Sequence, residues 1–185
     1  MSNKRERIEA AGSGAASDAV KALTPTMIGA AASKLVAASL GDIALVFSRS
    51  PAHKHYAFAD LEWMIAPPVA LGQVYIVEAV NKANGLRTPI AVATWAFVST
   101  ETDQRLSAEL SHRIRLRPDE WKSGDIAWIV DVAGAPAGVS HALAWLKAGP
   151  FKDKPLNLVV RDSKGVARAA TLDEVTASAT KRAAP

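Results

Sequence analysis

The sequence predicts an α+β fold: helices layered on one central, mixed and largely antiparallel sheet. Two observations carry that expectation. The hydrophobic pattern is helical as far as Ala66 and turns β-rich from Gln73 onward. The elements then run in the order helix, helix, hairpin, helix, strand, glycine loop, helix, strand, strand.

Thr24-Pro25 opens the first helix, with Thr as N-cap and Pro at the first helical position. It runs to Leu40, where Gly41 reads as its stop. A second short helix, Asp42 to Phe47, leads into Ser48-Arg49-Ser50-Pro51, and residues 57–66 read as a helix ended by Pro67-Pro68. Gln73 to Val80 and Pro89 to Val98 form a hairpin across Asn84-Gly85. Thr100 to Leu110 is helical, with Glu101 and Asp103 in its first turn. Arg113, Arg115 and Arg117 alternate with Ile114 and Leu116 and share one strand face. Ser123-Gly124-Asp125 turns into a buried strand, Ile126 to Val132. The loop Gly134-Ala135-Pro136-Ala137-Gly138 precedes a helix from Val139 to Ala148. Strands at Leu156–Arg161 and Val166–Thr171 and a C-terminal helix follow. Residues 1–23 read as a flexible arm, 24–180 as a single domain and 181–185 as a tail.

The 185 residues are 49% hydrophobic and 22% charged, which excludes wholesale disorder. Cysteine is absent, so disulfides, thiolate zinc sites and a cysteine nucleophile are excluded. The four histidines have no compact metal-ligand spacing, so no metal is expected. A net charge of +4 suits an acidic partner and is too small to imply nucleic acid. The longest apolar stretch, Met27 to Phe47, is broken by Lys34 and Asp42, so no spanning segment is expected. The mixed-sign start argues against a secretory signal, and the expected location is cytoplasmic.

Ser50-Pro51-Ala52-His53-Lys54-His55 is the densest chemical cluster. A histidine there is either a proton acceptor near neutral pH or part of a solvated turn. Asp131 follows the apolar run Ile126-Ala127-Trp128-Ile129-Val130, as a strand-end cap or as a group facing a pocket. Asp125 reads as a turn residue, and His112 and His141 as structural. The five Trp, at 63, 95, 121, 128 and 145, read as core and rim anchors. The arginine face is either solvated or a docking strip. No Gly-x-Ser-x-Gly elbow supports a serine hydrolase. A glycine loop entering a helix can hold phosphate on backbone N–H groups, as in the N-acetyltransferase superfold. Here that superfold's arginine- or glutamine-led signature is missing, and the glycines serve equally as a plain connector.

At Ser50-Pro51-Ala52-His53 the chain resembles the RTX toxin-activating lysine acyltransferases, the haemolysin-activating proteins. Leu40-Gly41-Asp42-Ile43 precedes this motif, and Asp60-Leu61-Glu62-Trp63, Pro67-Pro68 and Gln73 follow it. Pro89-Ile90-Ala91-Val92-Ala93-Thr94-Trp95-Ala96 and Trp121-Lys122-Ser123-Gly124-Asp125 with Trp128-Ile129-Val130-Asp131 match two further blocks in the same order. The resemblance implies an N-acetyltransferase-like fold and transfer of a fatty acyl group from acyl-carrier protein to internal lysines of an RTX-type protoxin. It assigns the catalytic roles to His53 and Asp131 and a supporting role to Ser50. An Asn of some members aligns with Met64, so its role does not carry over, and the family-like Pro-Phe-Gly after the Asp is replaced by Ala135-Pro136-Ala137-Gly138. No permanently bound cofactor is implied, since acyl-carrier protein is a substrate. The implied partners are that carrier and a protoxin, with a homodimer admitted as the assembly.

Two other classes stand beside this one. An N-acetyltransferase-like enzyme could use acyl-coenzyme A on a small amine, or the fold could be a non-catalytic binding module. The Gly134–Gly138 loop leaves the former open, and the presence of both His53 and Asp131 disfavours the latter.

Overall fold

A computed structural model describes residues 25–110, 113–162 and 164–183. The expected arm at 1–23, His112 and the last two residues of the expected tail lie outside the described residues. From Ala38 onward the chain forms one compact unit, and residues 25–37 are the described part of another. Among the described residues no helix is long and apolar enough to cross a membrane.

The first helix, α1, is continuous over Pro25–Arg49. The expected stop at Gly41 is corrected: Gly41 sits inside the helix with open space where a Cβ would be. A mid-helix glycine costs about 1 kcal/mol. Beyond it Ile43, Val46 and Phe47, at helical spacing, are all buried, and each is worth about 1.5–3 kcal/mol. Burial therefore carries the helix through the glycine. Two short helices follow, α2 (Asp60–Met64) and α3 (Ala66–Ala70). Pro67 and Pro68 do not simply end a helix; they stand in the first turn of α3, where a missing N–H is harmless.

The hairpin forms as expected from β1 (Val74–Val80) and β2 (Arg87–Val98). Next come α4 (Thr100–Ala108), a 3-10 turn at Pro118–Trp121 and β3 (Ile126–Gly134). Ser99 caps α4 by accepting the Thr102 N–H at 3.2 Å. The chain ends with α5 (Pro136–Ala148), β4 (Leu156–Arg161), β5 (Ala167–Thr171) and α6 (Leu172–Ala183). The sheet order is β1-β2-β3-β4-β5, and only β3 and β4, joined through α5, run parallel. This is an α+β fold with a mixed, largely antiparallel sheet.

Two faces of the sheet are covered. Ala91, Ala93, Trp95, Ala127 and Ile129 pack with Ala142 and Leu146 of α5. On the opposite face Val92 and Ala133 pack with Ile43, Val46 and Phe47 of α1 and with Met64 and Ile65. A third cluster gathers Trp121 and Trp128 with Leu106 and Leu116, and the Trp128 indole N–H donates to Asp103 at 2.7 Å.

The strand expected at 113–117 is absent: this segment carries no regular secondary structure. Its arginines are held by side chains instead. Arg113 lies over the Tyr56 ring at 4.7 Å and Arg115 over Trp63 at 4.6 Å. Arg117 pairs with Glu120, which also takes Arg105 at 2.8 Å.

The expected glycine loop is also shorter. Pro136 and Gly138 already belong to α5. Gly134 has φ +123°, and a Cβ there would collide with the Ile90 carbonyl and with Ala91. On Gly138 a Cβ would stand 2.8 Å from the Ala91 Cβ. Both glycines let α5 and the end of β3 close onto β2. The change Gly134→Ala combines a disfavoured backbone angle with that collision. It is expected to lower unfolding free energy by about 2–4 kcal/mol in urea titration; an unchanged midpoint would refute the close-approach reading.

Glu120 gives a second test. Burial opposes its charge, but the Arg117 backbone N–H and the Arg105 and Arg117 guanidinium groups outweigh this and hold its carboxyl below the usual range. A carboxyl lowered in the folded state contributes stability above its unfolded value and loses it as pH falls through the folded one. Glu120→Gln should therefore be less stable than wild type at pH 7, and the gap should close as pH drops below about 4.5. A gap independent of pH would show that the charge is not what matters.

Candidate active site

The site is assembled from a turn and a strand. Where α1 ends, the chain folds back over Ser50–Tyr56: the His53 N–H donates to the Ser50 carbonyl at 2.9 Å and the Tyr56 N–H to the His53 carbonyl at 3.0 Å. The turn sets His53 under α1, 6% exposed, with its ring stacked on Phe47 at 4.6 Å between centroids. His55, Lys54 and Arg49 stay exposed. The solvated-turn reading therefore holds for His55 and fails for His53.

Asp131 does not end its strand, because β3 continues to Gly134. The register between β2 and β3 shifts here: Trp95 faces Ile129 and Thr94 faces Asp131, which leaves Val130 as an extra residue. Such a bulge re-aims the side chains that follow it. Asp131 consequently shares a face with Ala133, towards α1, rather than with Ile129, towards α5.

Both ring nitrogens of His53 are engaged. Nε2 meets Asp131 Oδ1 at 2.9 Å and Oδ2 at 3.1 Å, and Nδ1 meets Ser50 Oγ at 2.7 Å. Oδ1 also accepts the Val132 N–H at 2.8 Å. The expected trio of Ser50, His53 and Asp131 is thus brought together across 78 residues of sequence.

A cavity of about 410 Å³ opens on this pair. β3 and β4 are paired only at Ala127↔Leu156 and Trp128↔Asn157. Past that point the gap between them is walled by Ile129, Val130 and Val132 from β3 and by Leu158 and Val159 from β4. Val139 and Leu143 of α5 close one side, and Tyr56, Trp63 and Met64 another. Polar groups on the wall are His53, Asp131, Arg113 and Arg161. Ser50 is not part of the wall; it stands behind the imidazole. The wall is built from β3, β4, α5, α2 and the turn after α1, while α1 contributes by backing His53 with Phe47.

Sequence reasoning missed Tyr56, Arg113 and Arg161 as wall residues. Tyr56 carried a readable signal, lying three residues after His53 in one turn. Arg161 carried none, because only the β3–β4 gap brings it here. The hydroxyls of Tyr56 and Thr94 are shut off from water without a hydrogen-bond partner, each costing about 1–3 kcal/mol. Among the described residues no three His, Asp or Glu side chains gather closely enough to hold a metal ion.

The chain is similar to several curated lysine-acyltransferases. The leukotoxin-activating lysine-acyltransferase LktC of a Pasteurella haemolytica-like species is 34% identical over 104 residues, 56% of this chain and 57% of that protein. RTX-I toxin-activating lysine-acyltransferase ApxIC of Actinobacillus pleuropneumoniae is 29% identical over 104 residues, covering 56% and 55%. Lysine-acyltransferase RtxC of Vibrio cholerae is 31% identical over 99 residues, covering 54% and 59%. The matched stretch thus spans little more than half the length of these relatives. The family model described as RTX toxin acyltransferase matches residues 33–173, well over half of the sequence, and includes Ser50, His53 and Asp131. The chain therefore belongs to the RTX toxin acyltransferase family.

Proposed function

We propose that this chain is a protein-lysine acyltransferase that takes a fatty acyl group from acyl-carrier protein and places it on internal lysines of an RTX-type protoxin. The observation that carries the reading is the His53–Asp131 contact, 2.9 Å, on the wall of an otherwise largely apolar cavity. Hydrocarbon walls suit an acyl chain, and the pair supplies a proton acceptor for an amine.

A lysine amine has a pKa near ~10.4, so freeing its lone pair at pH 7 costs about 4–5 kcal/mol. His53 and Asp131 lower that barrier as a unit. The amine nitrogen bonds to the thioester carbonyl carbon, the C–S bond breaks so that the sulfur of the carrier leaves and takes up a proton, and the proton lost by nitrogen enters the pair at an Asp131 oxygen, the carboxylate being on the cavity wall. Ser50 fixes the ring from behind through Nδ1. Engagement of both nitrogens supports proton transfer over an acyl-histidine intermediate. A proton can enter through the Asp131 carboxylate, whereas an acyl carbon on either ring nitrogen must displace a hydrogen bond already made. The packing role of Gly134 and Gly138 accounts for those glycines without a coenzyme A phosphate, which favours the carrier as donor. Carrier proteins are acidic, and the exposed cations Arg49, Lys54, Arg113, Arg115 and Arg117 suit docking of such a partner.

The test is intact mass of a lysine-bearing protoxin segment incubated with acyl-carrier proteins loaded with chains of several lengths. His53 is buried and stacked, so His53→Gln is a cleaner probe than Ala. It should reduce kcat by about 10²–10⁴-fold. Asp131→Asn should lower kcat more than it raises KM. Rising salt should weaken carrier binding. Near-normal transfer by His53→Gln would sink the mechanism, and equal use of acyl-coenzyme A without a salt effect would sink the carrier assignment.

A further inference from the structure

The cavity is lined from both faces of the sheet. Ile129 and Val132 of β3, Leu158 of β4, and Val139 and Leu143 of α5 belong with the apolar cluster under α5. Trp63 and Met64 belong with the cluster under α1, and Ile114 and Val159 with the one around Trp121 and Trp128. A void that touches both faces has to cross the sheet. The opening is at hand, because β3 and β4 pair only at Ala127↔Leu156 and Trp128↔Asn157. Beyond those pairs the two strands are the sides of a slot.

The slot is chemically uneven from one face to the other. Its polar wall residues gather on the α1 side. His53 is stacked on Phe47 of α1, and Asp131 meets it at 2.9 Å. Arg113 lies over the Tyr56 ring, and Arg161 shares a strand face with Val159, two residues before it. On the α5 side every wall residue is aliphatic among the described residues. Val139 and Leu143 stand one helical turn apart on the same face of α5 and close that end. Each methylene placed against such walls is worth about fourfold in affinity. An amide or phosphate would find no side-chain partner there and would lose its water. Size agrees as well. A cavity of about 150 Å³ takes a six-carbon ring, so 410 Å³ is room for a chain of roughly a dozen carbons or more.

We propose that the acyl chain threads the sheet between β3 and β4, with its thioester at His53–Asp131 and its terminal carbons against α5, and that Leu143, the larger of the two closing side chains, sets the chain length preferred. The inference rests on the acyl-transfer reading above.

Two substitutions move the closed end in opposite directions: Leu143→Ala deepens the slot and Leu143→Phe fills it. Each is compared with wild type on acyl-carrier proteins loaded with saturated chains of increasing even length, and thermal unfolding checks that each variant is folded. The preferred length should rise by about two carbons in Leu143→Ala and fall by about two in Leu143→Phe, with the kcat/KM ratio of neighbouring even lengths changed by roughly tenfold. A second readout needs no variant and no turnover. Acyl-carrier protein whose chain ends in a diazirine is irradiated on the wild-type enzyme, and the labelled peptide is identified by mass spectrometry. The label is expected on α5, between Pro136 and Ala148. An unchanged preferred length in both folded variants overturns the proposal, as does a label confined to α1, α2 or the turn between them. A loss equal at all lengths also overturns it, because it places the carrier's prosthetic arm in the slot. Should a variant not fold, the wild-type label decides. If wild type transfers no acyl group yet α5 is labelled, the slot stands and only the reaction fails. If it neither transfers nor labels α5, both readings fall.

Discussion

The extra residue in β3 is the constraint on which the site depends. Side chains along a strand alternate strictly between faces. Ala127 and Ile129 point into the core under α5, and an unbroken strand would send Asp131 the same way. The bulge at Val130 shifts the phase, so Asp131 and Ala133 point towards α1 while Val132 returns to the α5 side. A slip of one residue exchanges the faces of everything beyond it. Here the slip places a carboxylate opposite the only buried histidine among the described residues.

The other half of the pair depends on hydrophobic burial. Ile43, Val46 and Phe47 anchor the end of α1 against Val92, Met64 and Ile65. That anchoring carries the helix through Gly41 and delivers Ser50 to a defined point. From there a turn of a few residues leaves His53 little choice of position, with Phe47 against its face and Ser50 against Nδ1. Apolar packing thus fixes the imidazole, and sheet irregularity brings the carboxylate to it.

Part of this was legible in the sequence. Element types were readable where one period dominates, as in the hairpin and α4. His53 and Asp131 stood out because a titratable residue beside a Ser-Pro turn or within an apolar strand is chemically conspicuous. Their meeting was not readable from spacing, and no Gly or Pro marks the bulge at Val130. The arginine segment misled because alternation of charge and Ile or Leu is equally the pattern of an extended loop laid over a core. Its cations stack on Tyr56 and Trp63 instead of pairing as a strand. At Gly134 and Gly138 the residue type was read as loop chemistry, whereas contact with Ile90 and Ala91 demands it. That demand is tertiary and has no local signature.

The polar cluster is not a stabilising device. Burying hydrogen-bonded polar groups such as His53 and Asp131 adds little net stability, because desolvation offsets the attraction. Around this pair the Thr94 and Tyr56 hydroxyls are sealed without partners, and β3 gives up regular pairing with β2 at the bulge and with β4 past Trp128. An apolar filling of the same space would be worth more to the fold. The molecule carries these costs because three separate apolar clusters hold the sheet on both faces. Their independence is what allows the sheet to open between β3 and β4 without losing its frame. A sheet bulge, a lapse in β3–β4 pairing and two sealed hydroxyls gather around one polar pair, and such a gathering is what a site kept for chemistry rather than for stability looks like.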